Sequence, residues 1–309
     1  MCDLGLDDMA VALPPAQEIS DVIAKAGRSH DVVDTARANG LARVPVATTG
    51  TVVDLALDAL TPILEREPDL HERVDLVLLA HSAPILAPAD EPLLAELVDR
   101  AGLSNAAAFA VTGQPCAILH SVVDWALHSE FVEGDDPALL VIGADRANHP
   151  AERVFFGTVM GDAAVAMLLG RRSSRRRILA QHVHTELHAS EGEWSPADAI
   201  TTFRERNPLL IRSAIERCVA KAGHALDDVA AIIPHTPNLA IWDLMADVLR
   251  YPRSRILTQW ITETGHLSSN DSFVHFHRAE NEGVVASGDL VLLVNQGFGG
   301  TQGCTLIRV

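Results

Sequence analysis

Five stretches of the chain are apolar at every position rather than at every second one: residues 76–80, 138–143, 163–169, 229–233 and 290–294. Unbroken runs of this length predict strands buried on both faces, and so sheets sandwiched between helices. Two of the runs share a frame. Asp75 precedes the first and His81-Ser82-Ala83-Pro84 follows it, while Asp228 precedes the fourth and Pro234-His235-Thr236-Pro237 follows it. An amphipathic helical pattern comes before each. Val53, Leu57, Leu60 and Leu64 form one; Ile211, Ala214, Ile215, Cys218, Val219 and Ala222 form the other, opened by Pro208 and closed by Gly223. The recurrence predicts two related α/β halves, residues 1–170 and 171–309, meeting at the basic run 170–177. The run 290–294, entered through Ser287-Gly288-Asp289 and left through Gly297-Phe298-Gly299-Gly300, reads as the last strand.

Charge narrows the partners. The 309 residues carry 24 Lys+Arg against 41 Asp+Glu, a formal net charge of −17. Such a surface repels polyanions, which argues against nucleic acid and anionic membranes and requires a local basic patch for any acidic partner. A hydrophobic fraction of 48% with 21% charged residues suits a large core. The N-terminus has no basic leader pattern, and no apolar run reaches the roughly 18 residues of a membrane span, so a cytoplasmic location is expected. Cys2, Cys116, Cys218 and Cys304 are too few and too scattered for a disulfide framework, and no CxxC pair points to zinc or redox work.

One cysteine has a special setting. Ala108-Phe109-Ala110-Val111 reads as a short strand that passes through Thr112-Gly113-Gln114-Pro115 into a long amphipathic helix, with Cys116 in the first residues of that helix. Helix N-termini present unpaired N–H groups and a positive dipole end, which favour a thiolate and can hold an oxyanion. Cys116 is therefore a candidate nucleophile, with a small packed residue at a strand-helix corner as the alternative. Cys218 lies on an apolar helical face; Cys2 and Cys304 have no activating context. A thiol nucleophile needs a proton partner, and His235 leaves a buried strand while His266 follows Gly265 in a tight polar loop ending at Asp271. Asp271 is close enough in sequence to fix the His266 tautomer, although structural histidines at two strand ends would look the same. The pairs His182/His184 and His275/His277 lack a carboxylate or Cys at a recognised zinc spacing, so no metal is expected.

Taken in order, these residues resemble the β-ketoacyl-acyl-carrier-protein synthase III group of the thiolase superfamily. The matching features are Val11-Ala12-Leu13-Pro14-Pro15, Val74-Asp75 with the strand 76–80, the Cys116 turn, Met160-Gly161-Asp162-Ala163-Ala164, Pro234-His235-Thr236-Pro237-Asn238 and Gly288-Asp289-Leu290 through Gly299-Gly300. The resemblance implies a five-layered αβαβα thiolase fold made from two duplicated halves, no cofactor and a homodimer. Where condensing members carry Gly-Asn, this chain has Gly265-His266, so the set that stabilises a decarboxylated enolate is incomplete. Gly-His-Leu-x-x-x-Asp is instead similar to a divergent acyltransferase branch from polyketide pathways.

That branch implies an acyl group moving from a thioester donor to Cys116 and on to a hydroxyl, amine or thiol of a small-molecule or carrier-bound acceptor. His266 and Asp271 would activate the acceptor, His235 would assist proton movement or help hold the thiolate, and N–H groups at Cys116 and in the Gly299-Gly300 loop would hold the oxyanion. No Trp occurs in residues 31–40, where the family grips the coenzyme A nucleotide, which favours an acyl carrier protein over acyl-CoA as donor. Arg250, Arg253 and Arg255 are the expected carrier-docking patch. Decarboxylative condensation by a 3-oxoacyl synthase III is the second reading, and a non-catalytic partner subunit the third. Aromatic content of 4% predicts a tunnel lined by aliphatic side chains.

Overall fold

The computed structural model describes residues 4–83, 92–133, 135–155, 157–172, 176–186 and 195–309. Cys2, Pro84 and residues 173–175 of the basic run lie outside them. Among the described residues the strands are β1 (Gly5–Ala12), β2 (Ala16–Glu18), β3 (Arg43–Pro45), β4 (Leu76–Ala80), β5 (Ala107–Val111), β6 (Leu139–Asp145), β7 (Val154–Phe155), β8 (Thr158–Val159), β9 (Ala163–Gly170), β10 (Arg177–Thr185), β11 (Ala231–Pro234), β12 (Leu290–Gly297) and β13 (Thr301–Arg308). Nine of them line up as β11-β12-β13-β10-β1-β9-β6-β4-β5. β4 runs parallel to β5 and β6, and β11 parallel to β12, while the remaining neighbours in the row are antiparallel. The row falls into two blocks, one from residues 5–170 and one from residues 177–308, which meet where Gly5 of β1 faces Arg177 of β10.

Side chains alternate across each strand, and here both faces are apolar. Leu76, Leu78 and Ala80 pack with the helix Ile118–Leu127, while Val77 and Leu79 pack with the helix Val52–Arg66 on the other side. In the second block Ile233 and Leu293 join that same central layer with the helix Asp271–Asn281. Ile232 and Leu292 face outward onto the helices Ala197–Lys221 and Ala240–Leu249. Helices therefore cover each outer face and fill the middle, giving the five layers of the thiolase fold. Full burial of each Leu, Ile or Val stabilises by about 1.5–3 kcal/mol, and the continuous apolar runs place apolar residues on both faces of β4, β6, β9, β11 and β12.

Several local expectations change. The run 290–294 is not the last strand, because β13 follows it. β13 and β10 escape the hydrophobic pattern because they bury polar groups: Gln181, Gln302 and Thr305 are all nearly or wholly inaccessible. Pro208 does not open its helix, which starts at Ala197 and carries Pro208 inside it. The turn before Pro208 is held by packing: Phe203 lies 5.0 Å from Phe298 ring to ring, and Asn207 Nδ2 donates to Gln296 Oε1 at 2.8 Å. Pro234 belongs to β11 rather than to its exit.

Candidate active site

Cys116 precedes the helix Ile118–Leu127 by two residues, on the turn rather than in the helix. Its φ is +57°, a left-handed conformation that an L side chain adopts only under constraint. The constraint comes from both sides of its peptide. Its N–H donates to Ser82 Oγ at 3.3 Å, and its carbonyl accepts from Asn295 Nδ2 at 2.8 Å. Gly297 closes against the Pro115 carbonyl, where a Cβ would collide.

Against the sulfur lies His266, whose Nε2 is 3.4 Å from Cys116 Sγ. Its Nδ1 is 2.5 Å from Asp271 Oδ2. The His266 backbone is fixed independently: its N–H donates to Val159 O at 3.1 Å and its carbonyl accepts from Gly161 at 2.8 Å. Gly265 makes that approach feasible, with φ +58° and a hydrogen where a Cβ would strike Val44 and the Val159 carbonyl. Beyond, Asp162 and Arg153 form a buried two-pronged ion pair at 2.7 and 2.8 Å that anchors the 159–162 segment.

Asp271 is wholly buried and accepts from four donors: His266, the Thr236 N–H at 2.9 Å, the Thr236 hydroxyl at 3.2 Å and the Leu267 N–H at 2.8 Å. Burial opposes its charge, but His266 and these hydrogen bonds hold its pKa below the usual carboxylate value. Burial also works against the His266 imidazolium; the Asp271 carboxylate and then Cys116 overcome it and raise the pKa to about 10. His235 goes the other way. Burial first, and the His266 charge second, depress its pKa to about 3, so it is a neutral imidazole. Its ring stands 5.9 Å from the His266 ring, and the sulfur contact belongs to His266 rather than to His235.

These groups open onto a cavity of about 400 Å³ lined by Cys116, His235 and His266 with Phe155, Phe203, Phe298, Ile241 and Leu244, among others. The expected aliphatic lining is corrected here: three of the eight phenylalanines of the chain gather at this cavity, a concentration that an average over the sequence hides. Arg204, Asn207 and Gln296 add polar groups to the wall.

The other expected residues are less central. The Gly300 N–H is engaged by Gly297 O at 3.2 Å, so neither it nor the Cys116 N–H is unoccupied as an oxyanion donor. Both bonds are long and run to neutral acceptors, which an oxyanion would outcompete. Arg253 is withdrawn from the expected docking patch by bonds to Asp243, Ile256 O and Thr258. Arg250 and Arg255 are exposed. Arg250 lies just beyond the end of the helix Ala240–Leu249, about 9 Å along it from the cavity-lining Leu244 at about 1.5 Å per residue. Cys218 and Cys304 are buried, and burial lifts the first to about 12 and the second well above the usual thiol value. Among the described residues no group of three or more His, Cys, Asp or Glu could hold a metal ion, and no helix is long and apolar enough to cross a membrane.

Three polar residues of this region escape sequence reasoning: Ser82, Asp145 and Asn295. Asp145 ends β6 and accepts from Ser82, Ser269 and Asn270; burial pushes its carboxyl up while those bonds pull it back. The available signal is an acid closing an apolar run, at the C-terminal end of a strand parallel to the one that delivers Ser82.

A family model for the C-terminal region of 3-oxoacyl-[acyl-carrier-protein] synthase III matches residues 219–309. The β-ketoacyl-[acyl-carrier-protein] synthase III of Aquifex aeolicus is 26% identical over 283 residues, covering 87% of this chain and 88% of that protein. The enzyme of the same name from Kocuria rhizophila is 27% identical over 301 residues, covering 83% and 82%. Among solved structures, the acyltransferase ChlB3 superposes with a TM-score of 0.88 at 20% identity, over 99% of this chain and 98% of its own. Aquifex aeolicus synthase III gives 0.81 at 24% identity over 99% and 100%. Cerulenin-bound OleA of Xanthomonas campestris gives 0.82 at 13% over 99% and 97%.

The nine-stranded row, in two blocks with helices on each outer face and between the blocks, is the fold that these solved structures share. Over residues 219–309 and in its near full-length relatives, this chain is similar to the 3-oxoacyl-[acyl-carrier-protein] synthase III family at 26–27% identity.

Proposed function

We propose that the protein transfers an acyl group from a carrier-protein or coenzyme A thioester, through an acyl-Cys116 intermediate, to a hydroxyl, amine or thiol acceptor in a secondary-metabolite pathway. The observation that carries this reading is His266, with one ring nitrogen on the Cys116 sulfur and the other on Asp271. Sγ passes its proton to Nε2, 3.4 Å away, as the reaction starts. The thiolate attacks the thioester carbonyl carbon, the N–H groups of Cys116 and of the 297–300 turn take up the oxyanion, and the donor C–S bond breaks as His266 returns a proton to the departing thiol. Acylation removes the negative sulfur that helped raise the His266 pKa. The now neutral imidazole, still oriented by Asp271, accepts the acceptor's proton; the acceptor attacks, and Cys116 leaves as a thiolate beside a recharged His266. Neutral His235 lines the same cavity as a hydrogen-bonding wall.

The carrier is proposed to dock over the cavity mouth, where Arg204 and the 46% exposed Leu244 combine charge and apolar surface, with Arg250 and Arg255 as a flanking patch. A homodimer is proposed through β5, an edge strand whose Phe109 and neighbouring Trp125 are 46% and 43% exposed. Decarboxylative condensation keeps one support, the names of the sequence relatives, and release of CO₂ from a malonyl thioester would decide for it.

Intact-mass measurement after mixing with acyl thioesters tests the main reading. Wild type should gain one acyl group, Cys116→Ala none, and His266→Ala should turn over 10²–10⁴-fold more slowly. An adduct persisting on Cys116→Ala would sink the nucleophile assignment.

A further inference from the structure

The Cys116 turn and the His266 loop are 150 residues apart in the chain, yet two buried side chains hold both. Ser82 Oγ accepts from the Cys116 N–H at 3.3 Å and from the Ser269 N–H at 3.2 Å. Asn295 Nδ2 donates to the Cys116 carbonyl at 2.8 Å and to the Ser269 carbonyl at 3.0 Å. Each peptide is therefore gripped at its N–H by one side chain and at its carbonyl by the other. Asp145 fixes the first of these: it accepts the Ser82 N–H at 2.7 Å and the Ser82 hydroxyl at 3.0 Å, then the Ser269 hydroxyl at 2.9 Å and Asn270 Nδ2 at 3.1 Å. Ser82 is 9% exposed, Asp145 2% and Asn295 0%. None of the three is among the described residues lining the cavity, so none is placed to touch a substrate.

We propose that Ser82, Asn295 and Asp145 are positioning residues: a clamp across the two blocks of the sheet that locks the left-handed Cys116 turn onto the His266 loop and so sets the distance between Sγ and Nε2. A lone left-handed residue with a Cβ is strained and relaxes if released. Before substrate binds, Cys116 is held at both its N–H and its carbonyl, and when an oxyanion takes the N–H the Asn295 bond to its carbonyl, which Ser269 shares, still keeps the turn in place. The clamp rests on the reading of Cys116 as nucleophile, but its effect on the thiol is separable from any particular substrate.

The test is the pH dependence of Cys116 alkylation by iodoacetamide, followed on the Cys116 peptide by mass spectrometry, for wild type, Ser82→Ala, Ser82→Thr and Asn295→Asp. A thiol held on an imidazolium alkylates at lower pH than a loose one. Ser82→Ala should slow alkylation near neutral pH about tenfold and move the profile to higher pH, while Ser82→Thr, which keeps the oxygen, stays within about twofold of wild type. Single-turnover acylation should fall ten- to a hundredfold in Ser82→Ala with KM for the donor little changed, the pattern of misplacement rather than lost binding. A cooperatively folded Ser82→Ala with the wild-type alkylation profile overturns the proposal. Should Ser82→Ala not fold, Asn295→Asp decides on the carbonyl side by the same criterion. If wild type is never acylated, the function fails while the alkylation profiles still judge the clamp.

Discussion

Gly265 shows how closely one backbone position governs the chemistry. Its φ of +58° comes with a ψ of −136°, a combination that residues with a Cβ avoid, and the missing Cβ would collide with Val44. Its neighbour His266 reaches Cys116 and Asp271 with that backbone geometry as one of its supports. Gly265→Ala is expected to lower unfolding stability by about 2–3 kcal/mol and to slow the proposed acyl transfer through displacement of the imidazole, with donor KM little altered. Urea unfolding and single-turnover acylation check both parts; an unchanged urea midpoint would mean that the loop relaxes freely. The same residue explains part of what the sequence makes legible. A Gly before a His, followed at close range by an Asp, is a local pattern, and local patterns survive in one dimension.

Elements built from non-local partners are harder to read. The five continuous apolar runs all become strands, β4, β6, β9, β11 and β12, because burial on both faces leaves an unmistakable composition. β10 and β13 remain hidden because the layer beside them is polar: His120 Nδ1 lies 2.8 Å from Thr305 Oγ1, and Gln181 donates to the same hydroxyl. Ser82, Asp145 and Asn295 sit at the ends of three strands with no common spacing, so the strand order is needed before they can be seen together. The helix Ala197–Lys221 poses the opposite problem, a Pro with the appearance of a start that lies in the interior. An interior Pro forfeits one helical hydrogen bond and crowds the preceding turn. Pro208→Ala is therefore expected to raise the thermal midpoint, by about 1 kcal/mol or more in stability, while shifting Phe203 and Asn207 at the cavity wall and so changing donor KM. Calorimetry with steady-state kinetics would check this, and a destabilised variant would show that the helix needs its bend.

At the scale of the whole molecule, the buried imidazoles set the response to pH. Burial depresses His120 to about 4, His235 to about 3 and His275 to about 4, whereas each takes a proton near about 6.5 in the unfolded chain. The stability these groups lend is intact above that value and disappears as the pH falls through 4 to 3, each contributing on the order of 3 kcal/mol. His266 has the reverse sign: with its folded value raised to about 10, its contribution is complete below about 6.5 and is lost as the pH rises through 10. The melting temperature should accordingly peak near neutrality and fall on both sides, more steeply toward acid, where three groups act together. Differential scanning calorimetry across that range would refute this if the midpoint were flat down to about pH 4. The 150-residue span between Cys116 and His266 also has a consequence in time. Closing a loop of that length costs about 4 kcal/mol of chain entropy before any contact repays it, and contacts so distant form late in folding. During refolding, helical signal should therefore recover first, and the proposed transfer activity should lag behind it.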